Sequence, residues 1–260
     1  MKARSKEAGR HVQAVLNALS ILDCLQDETS LPLREISAKT KLNKSRVMRF
    51  CGTLETKGYL VHDLEADRYR IGPRLFSLGK AYERSHSLIS LARPILRELV
   101  RRTGESATLY VVEGTERLVL AREEGSHTLR YSLVEGQRLP LYTGASGKVL
   151  LAYGPESLHR KILKKAMLRP LTKNTIIDPE SLRREFEIIR KQKYGFSAGE
   201  RSIDGGALAA PVFSHEGQIC ATIGIAGPIE RIRDHLTEYI GALIPAGAQL
   251  SAALGYKEEA

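Results

Sequence analysis

The stretch NKSRVMRFCGTLETKGYLVHDLEADRYRIG, Asn43–Gly72, decides how this chain is read. Asn43 is a favourable helix N-cap, because its side-chain oxygen can accept one of the first unpaired N–H groups. Val47, Phe50 or Cys51, and Leu54 recur at helical spacing and form one apolar stripe. Lys44, Ser45, Arg46 and Arg49 share the other side, near the helix start. Gly58 closes the helix, since the residue past a helix end often takes a left-handed conformation that glycine tolerates. The remainder is apolar, then turn-like, then alternating. Tyr59 and Val61 against Tyr69 and Ile71 predict a two-stranded hairpin, with Arg68 beside the turn Asp63–Asp67.

Upstream, "TSLPLREISAKTKL" predicts a short helix with Pro32 in its first turn and an end near Lys39. Before it, "HVQAVLNALSILDCLQ" places Val12, Val15, Leu16, Leu19, Leu22 and Leu25 at steps of three and four, an amphipathic helix. Two short helices across a tight turn form a helix-turn-helix, and the hairpin that follows is its wing. The second helix of such a pair enters the major groove with its N-terminal residues leading. Arg46 and Arg49 suit guanine or phosphate, Lys44 and Ser45 suit phosphate oxygens, and Arg68 adds a cation at the wing.

These residues resemble the N-terminal domain of the isocitrate-lyase-regulator (IclR) family of bacterial transcription regulators. "LREISAKTKLNKSRVMRFCGTLETKGYLVHDLEADRYRIGPRLFSLG" follows that domain nearly position by position, with Asn43 standing where proline is common. "IGPRLFSLGKAY" is similar to the start of the family's interdomain helix. The expected organisation is a basic N-terminal arm over 1–10, a winged helix-turn-helix over 11–73, a linker helix over 74–90 and a sensor domain over 91–260.

Bulk composition agrees with two ordinary domains. The chain has 260 residues, 42% apolar and 27% charged, enough for packed cores. Net charge is +10, with +6 carried by residues 1–86 and +4 by the longer remainder. Positive charge is thus concentrated in the first third, which suits a polyanion partner there. No apolar run approaches a membrane span and the basic N-terminus lacks a signal-peptide core, so a cytoplasmic protein is expected. Cys24, Cys51 and Cys220 are far apart, and neither a disulfide framework nor a metal site is indicated.

The last two-thirds read as a mixed α/β domain of the α+β kind, an antiparallel sheet flanked by helices. "SLISLARPILRELVRRTGES" is helical and stops at Gly104. "ATLYVVEGTERLVLARE" predicts two strands joined at Glu113-Gly114, and "TLRYSLV" a third. "IIDPESLRREFEIIRKQKYGFS" is a helix with Asp178 as N-cap, Pro179 at its first position and Gly195 as its stop. "ALAAPVFSHEGQICATIGIAGP" is a hairpin about Glu216-Gly217, and a final helix begins near Arg233. No dinucleotide fingerprint is present.

"LYTGASGKVLLAY", Leu141–Tyr153, has the look of a phosphate loop, but its glycines are two residues too close together and Val149 replaces the metal-binding hydroxyl. Ser146 lies in G-A-S-G-K, which is no nucleophile elbow, and no catalytic constellation or cofactor site is indicated. An enzyme acting at the 143–148 turn and a ligand-independent DNA-binding protein are the competing readings. A small-residue turn that opens a helix, here expected over Gly147–Tyr153, offers unpaired N–H groups to an anion. Lys148 is expected to face solvent.

The IclR resemblance extends through "RLPLYTGASGKVLLAY", "TIIDPESL", "KQKYGFSAGE", "LAAPVF" and "TIGIAGP". It implies a GAF-like sensor that binds a small organic acid, a dimer or dimer of dimers, and a near-palindromic double-stranded operator, with repression as the expected sign. It also implies an effector pocket. Gly144, Ala145, Ser146 and Gly147 offer N–H groups, Tyr131 and Leu139 line the wall, and Glu200 lies near an acidic family position. Ala207, Gly224 and Ala226 fall where some members carry Cys or Ser. These smaller residues predict a pocket that is roomier or less polar than in such relatives, suited to an acid bulkier than one of two or three carbons.

Overall fold

The computed structural model describes residues 11–26, 28–85, 87–164 and 167–257, so the expected basic arm, 1–10, lies outside the described residues. Contacts divide the chain into two units, residues 1–85 and 86–260.

The first unit holds α1 (Gln13–Asp23), α2 (Leu33–Thr40), α3 (Lys44–Thr56), β1 (Leu60–Asp63), β2 (Arg68–Ile71) and α4 (Pro73–Ser85). Ile21, Leu25, Leu31, Ile36, Val47, Cys51, Leu60 and Tyr69 form its core. Lys41 ends α2 in the left-handed conformation at φ 57°, and Asn43 caps α3 two residues later. Gly58, at φ 73°, follows the C-cap of α3 as expected. An isolated bridge between Leu31 and Tyr69 ties the hairpin to the α1–α2 connection.

Two local expectations are corrected. The hairpin pairs Leu60 with Ile71 and His62 with Tyr69. Leu60 and His62, rather than Tyr59 and Val61, therefore lie across from the β2 apolar residues. In α1 the buried residues are Asn17 and Ile21, and Leu25 joins the core just past the helix end. Val12, Val15, Leu16 and Leu19 stand 44–67% exposed. This helix is apolar on two sides, and its own unit covers only one of them.

The second unit contains α5 (Ser87–Thr103), β3 (Ser106–Glu113), β4 (Glu116–Glu123), β5 (Arg138–Pro140), α6 (Gly144–Ala152), α7 (Glu156–Ile162), α8 (Pro179–Gln192), β6 (Gly195–Ala198), β7 (Gly205–Phe213), β8 (Ile219–Pro228), α9 (Ile229–Asp234) and α10 (Leu236–Ala253). The 74–90 segment expected as one linker spans α4 and the start of α5. Six strands form one antiparallel sheet in the order β5-β4-β3-β8-β7-β6. Strand residues alternate between its faces. Leu208, Ala210 and Val212 turn toward a core shared with α5 and α10. Ala209 joins Val119, Leu139 and Leu141 in a second core against α6 and α8.

Several boundaries differ from expectation. "TLRYSLV" is a connection rather than a strand, and the strand falls at Arg138–Pro140. α6 begins at Gly144, three residues early, so the whole G-A-S-G turn is helical and buried. α8 is closed by Lys193 at φ 64°, which leaves Gly195 free to start β6. Asp178 accepts the Ser181 N–H at 2.8 Å, the expected cap.

Candidate functional site

Each unit carries one candidate site. In the first, the Asn43 side-chain oxygen accepts the Arg46 N–H at 2.9 Å and fixes the start of α3. Val47 and Cys51 point into the core from this helix. Lys44, Ser45, Arg46 and Arg49 are all exposed on its outer side, as the spacing requires. Burial in apolar surroundings pushes the Cys51 thiol up to about 12, so it behaves as a small core residue.

The hairpin is less basic at its tip than expected. Asp63 Oδ1 accepts the N–H groups of Glu65 and Ala66 at 3.1 Å each, folding the turn on itself. His62 stacks on Tyr69 at 4.2 Å. Arg68 donates from Nε to Ser30 Oγ at 2.8 Å and from Nη2 to Ser30 O at 2.7 Å. It thus braces the wing against the α1–α2 connection. Arg70 is exposed on the same strand and extends the basic surface. Strand alternation opposite Tyr69 was the signal that could have marked it.

In the second unit a small cavity of about 50 Å³ opens beside the first turn of α6. Gly144, Ala145, Ser146, Ala207, Ala226 and Tyr131, six of the residues expected at an effector pocket, line it. The remaining expected residues stand behind its wall. Leu139 is buried in the second core. Gly147 has no room for a Cβ, which would collide with Leu141 O and the Arg117 guanidinium. A Cβ at Gly224 would lie 2.9 Å from both Leu208 O and Ser146 Oγ, so that glycine makes space for Ser146. A Cβ at Gly205 would meet the Tyr131 ring at 2.5 Å. The pocket is consequently compact. Space left by the small residues is taken up by Tyr131 and Ser146.

Glu200 and Lys148 depart most from expectation. Glu200 is buried, and its Oε2 accepts the Gly144 N–H at 3.0 Å. The helix N-terminus that suits an anion therefore already holds one of the chain's own carboxylates. Lys148 is 1% exposed rather than solvent-facing. Its Nζ donates to Glu200 Oε1 at 2.6 Å, Glu185 Oε2 at 2.9 Å and Phe196 O at 3.0 Å, satisfying its three donors.

Two arginines absent from the sequence reading enter the same cavity. Arg117, on β4, is 4% exposed. Its Nη1 donates to Pro140 O and, at 2.5 Å, to Thr143 O. Its Nε is buried without a hydrogen-bond partner. Burial pushes the Arg117 guanidinium down to about 10, which still leaves it charged at neutral pH. Arg201 lies over the Tyr131 ring at 5.2 Å. Among the described residues neither arginine forms an ion pair, and no carboxylate lines the cavity. Behind the wall, Arg122 donates to Thr108 Oγ1 at 3.0 Å and to Tyr131 O, fixing the Tyr131 backbone. No local pattern in the strand "ERLVLARE" distinguishes a buried, unpaired arginine from an exposed one.

The family profile described as "Bacterial transcriptional regulator IclR C-terminal" matches residues 80–252, and "IclR helix-turn-helix domain" matches residues 14–64. The HTH-type transcriptional regulator BhcR of Paracoccus denitrificans is 32% identical over 96% of this chain and 90% of its own length. The transcriptional repressor IclR of Escherichia coli is 28% identical over 94% of this chain and 90% of its own. An IclR transcriptional regulator from Alicyclobacillus acidocaldarius superposes with a TM-score of 0.85 at 27% identity, covering 94% of this chain and all of that one.

Proposed function

Because the chain belongs to the IclR family of bacterial transcriptional regulators, we propose that α3 reads an operator and that the cavity beside α6 receives the small acid that controls this binding. Ligand-responsive control of transcription is what this family does. The observation that carries the assignment of sites is their pairing in one chain. An exposed basic helix stands in one unit, and a small cavity lined by two arginines stands in the other.

Arg46 and Arg49 lead into the major groove, where a guanidinium can fork onto guanine. Lys44, Ser45 and Arg70 contact phosphates and set the register. Arg68 supports the wing through Ser30 and keeps its remaining nitrogen for a phosphate. The protein acts as a dimer, or a dimer of dimers, on a near-palindromic site, placing two copies of α3 about one helical turn or a multiple apart. The exposed stripe Val12, Val15, Leu16 and Leu19 on α1 supports this, since such an apolar surface calls for a cover. Phe76 on α4 adds a further exposed ring at 69%.

The sign is repression, and the site of action is the cytoplasm, where the operator is. Acid binds one conformation of the sensor better than the other and shifts the spacing of the paired α3 helices. Among the described residues Ser146 has no hydrogen-bonded histidine or carboxylate, which supports reading the turn as a binding element rather than a catalytic one. No described helix is long and apolar enough to cross a membrane. A footprint on the DNA flanking its own gene, with and without candidate acids, tests the whole reading. Protection of paired half-sites that changes with an acid is expected. Protection indifferent to every acid would instead indicate a ligand-independent DNA-binding protein.

A further inference from the structure

The sensor unit carries a basic face that neither candidate site uses. Between Glu156 and Asp178 the sequence holds six lysines and arginines and no aspartate or glutamate. Residues 157–177 thus carry +6, while residues 87–260 as a whole carry +4, so the rest of this unit is slightly acidic. Arg160, Lys161, Lys164, Arg169 and Lys173 are exposed, and none of them forms an ion pair among the described residues. The sixth, Lys165, lies outside the described residues. Elsewhere on the unit Arg97, Arg101, Arg130, Arg138 and Arg183 each meet a carboxylate within 3.8 Å.

The backbone beneath this face is fixed. Leu158, Ile162 and Leu168 are buried in the second core, which anchors α7 and the segment after it and leaves their cations outside. One hydroxyl clamps the Arg169 backbone, because Tyr142 Oη donates to Arg169 O at 2.9 Å and accepts the Arg169 N–H at 3.2 Å. Thr175 Oγ1 accepts the N–H groups of Leu171 and Thr172 at 3.0 and 2.9 Å and donates to Glu200 O at 2.7 Å. Thr172 Oγ1 donates to Gly199 O at 2.5 Å. The C-terminus of α7 accounts for Arg160 and Lys161, which sit in its last turn and answer the helix dipole. Lys164, Arg169 and Lys173 lie beyond that turn, where the dipole no longer acts. Like charges gathered on a fixed backbone repel one another, and this fold gives them no counter-charge.

The cations are exposed and strung along the surface, which suits an extended anion with repeating charges better than a single small one. A DNA duplex presents one negative charge about every 1.7 Å of its axis. On the reading of α3 as the operator-binding helix, the same chain already holds such a duplex. A second contact to it then forms at an effective concentration on the order of millimolar. We propose, resting on that reading, that this face of the sensor unit binds the phosphate backbone of double-stranded DNA outside the operator half-sites, without sequence preference. It adds affinity by releasing counterions and makes no base contact.

The test uses the full chain and the duplex protected in the flank of its own gene, prepared in two forms. One is trimmed to the paired half-sites, and the other keeps random-sequence flanks on both sides. Fluorescence anisotropy follows binding to each across a series of salt concentrations. One variant combines Lys161→Gln, Lys164→Gln and Lys173→Gln. A control removes as many charges elsewhere on the unit, through Arg102→Gln, Lys191→Gln and Arg233→Gln, all exposed. Circular dichroism checks that each variant keeps its fold, as surface substitutions should. On the flanked duplex the first variant should bind at least about 10-fold more weakly at low salt, and its slope of log affinity against log salt should be shallower by about two to three, nearly one for each lost phosphate contact. On the trimmed duplex it should match the wild type, and the control should match it on both. Arginine at the same positions, Lys161→Arg with Lys164→Arg and Lys173→Arg, should keep the wild-type slope. An unchanged slope on the flanked duplex overturns the proposal and leaves this face to an acidic protein surface. Equal losses on the two duplexes overturn the placement outside the half-sites. The same loss in the control shows an effect of net charge alone and overturns the proposal. A wild type that binds no DNA from that flank overturns the operator reading, and the proposal with it.

Discussion

Lys148 Nζ and Glu200 Oε1 lie 2.6 Å apart with both side chains buried, and Glu200 also caps the first N–H of α6. One carboxylate thereby anchors the turn beside the cavity both through the backbone and through a charge. Removing the lysine would leave Glu200 buried with an incomplete partner set. Lys148→Met should destabilise the sensor unit by about 3–5 kcal/mol, the usual cost of breaking a buried pair from one side. Urea unfolding measures this. Adding Glu200→Gln to the same chain should recover part of the loss. A single-variant cost under about 1 kcal/mol would refute the structural role.

Arg46→Ala should weaken operator binding by roughly 1–3 kcal/mol while leaving binding to random DNA less affected. Gel shifts at one fixed salt concentration make the comparison, because phosphate contacts depend steeply on salt. Equal losses on both DNAs would identify Arg46 as a phosphate contact.

Asn43 satisfies the Arg46 N–H, so its loss leaves a helix donor unpaired. Asn43→Ala should cost roughly 1 kcal/mol of stability in the N-terminal unit, whereas Asn43→Asp should cost far less. Thermal unfolding followed by circular dichroism distinguishes the two variants. Identical midpoints for wild type and Asn43→Ala would show that the cap is dispensable.

Val15 and Leu19 are 54% and 50% exposed on the uncovered side of α1. If this stripe is the seam between copies, Val15→Glu with Leu19→Glu should lower the association state in sedimentation experiments and weaken operator binding in parallel. An unchanged sedimentation coefficient would place the dimer contact elsewhere.

The Cys51 thiol titrates near 12 in the folded chain because burial disfavours its thiolate, against an ordinary value of 9.0. Its folded pKa is raised, so its contribution to stability is complete below about pH 9 and disappears as pH rises toward 12. Stability of the N-terminal unit should therefore fall across that window more steeply in the wild type than in Cys51→Ala. Alkylation mapped by mass spectrometry offers a second check. At pH 8.5 Cys51 should react slowly in the folded chain and rapidly once unfolded.

Much of the fold follows from patterns that act over a few residues. The Asn43 and Asp178 caps, the left-handed Gly58 and the strand–turn–strand about Gly114 all stand where local chemistry puts them. Misreadings arose where one segment has two local solutions. α1 is apolar on two sides, and its sequence does not say which side meets α2 and α3. Lys193 takes the left-handed position that Gly195 was expected to hold, at a cost its surroundings outweigh. "TLRYSLV" alternates like a strand but has no neighbouring edge to pair with, since β4 pairs with Arg138–Pro140 instead.

The candidate site divides in the same way. By itself the sequence determined the two-domain plan, the basic outer side of α3 and membership of a family of regulators. Only the tertiary structure decided the electrostatics of the cavity. Lys148 meets Glu200 from 52 residues away, and Arg117 reaches Thr143 from 26. A lysine or arginine costs too much to bury alone, so its sequence neighbours predict exposure. Burial becomes possible when distant strands and helices bring carboxylates and carbonyls to it, and that arrangement exists only once the sheet has closed.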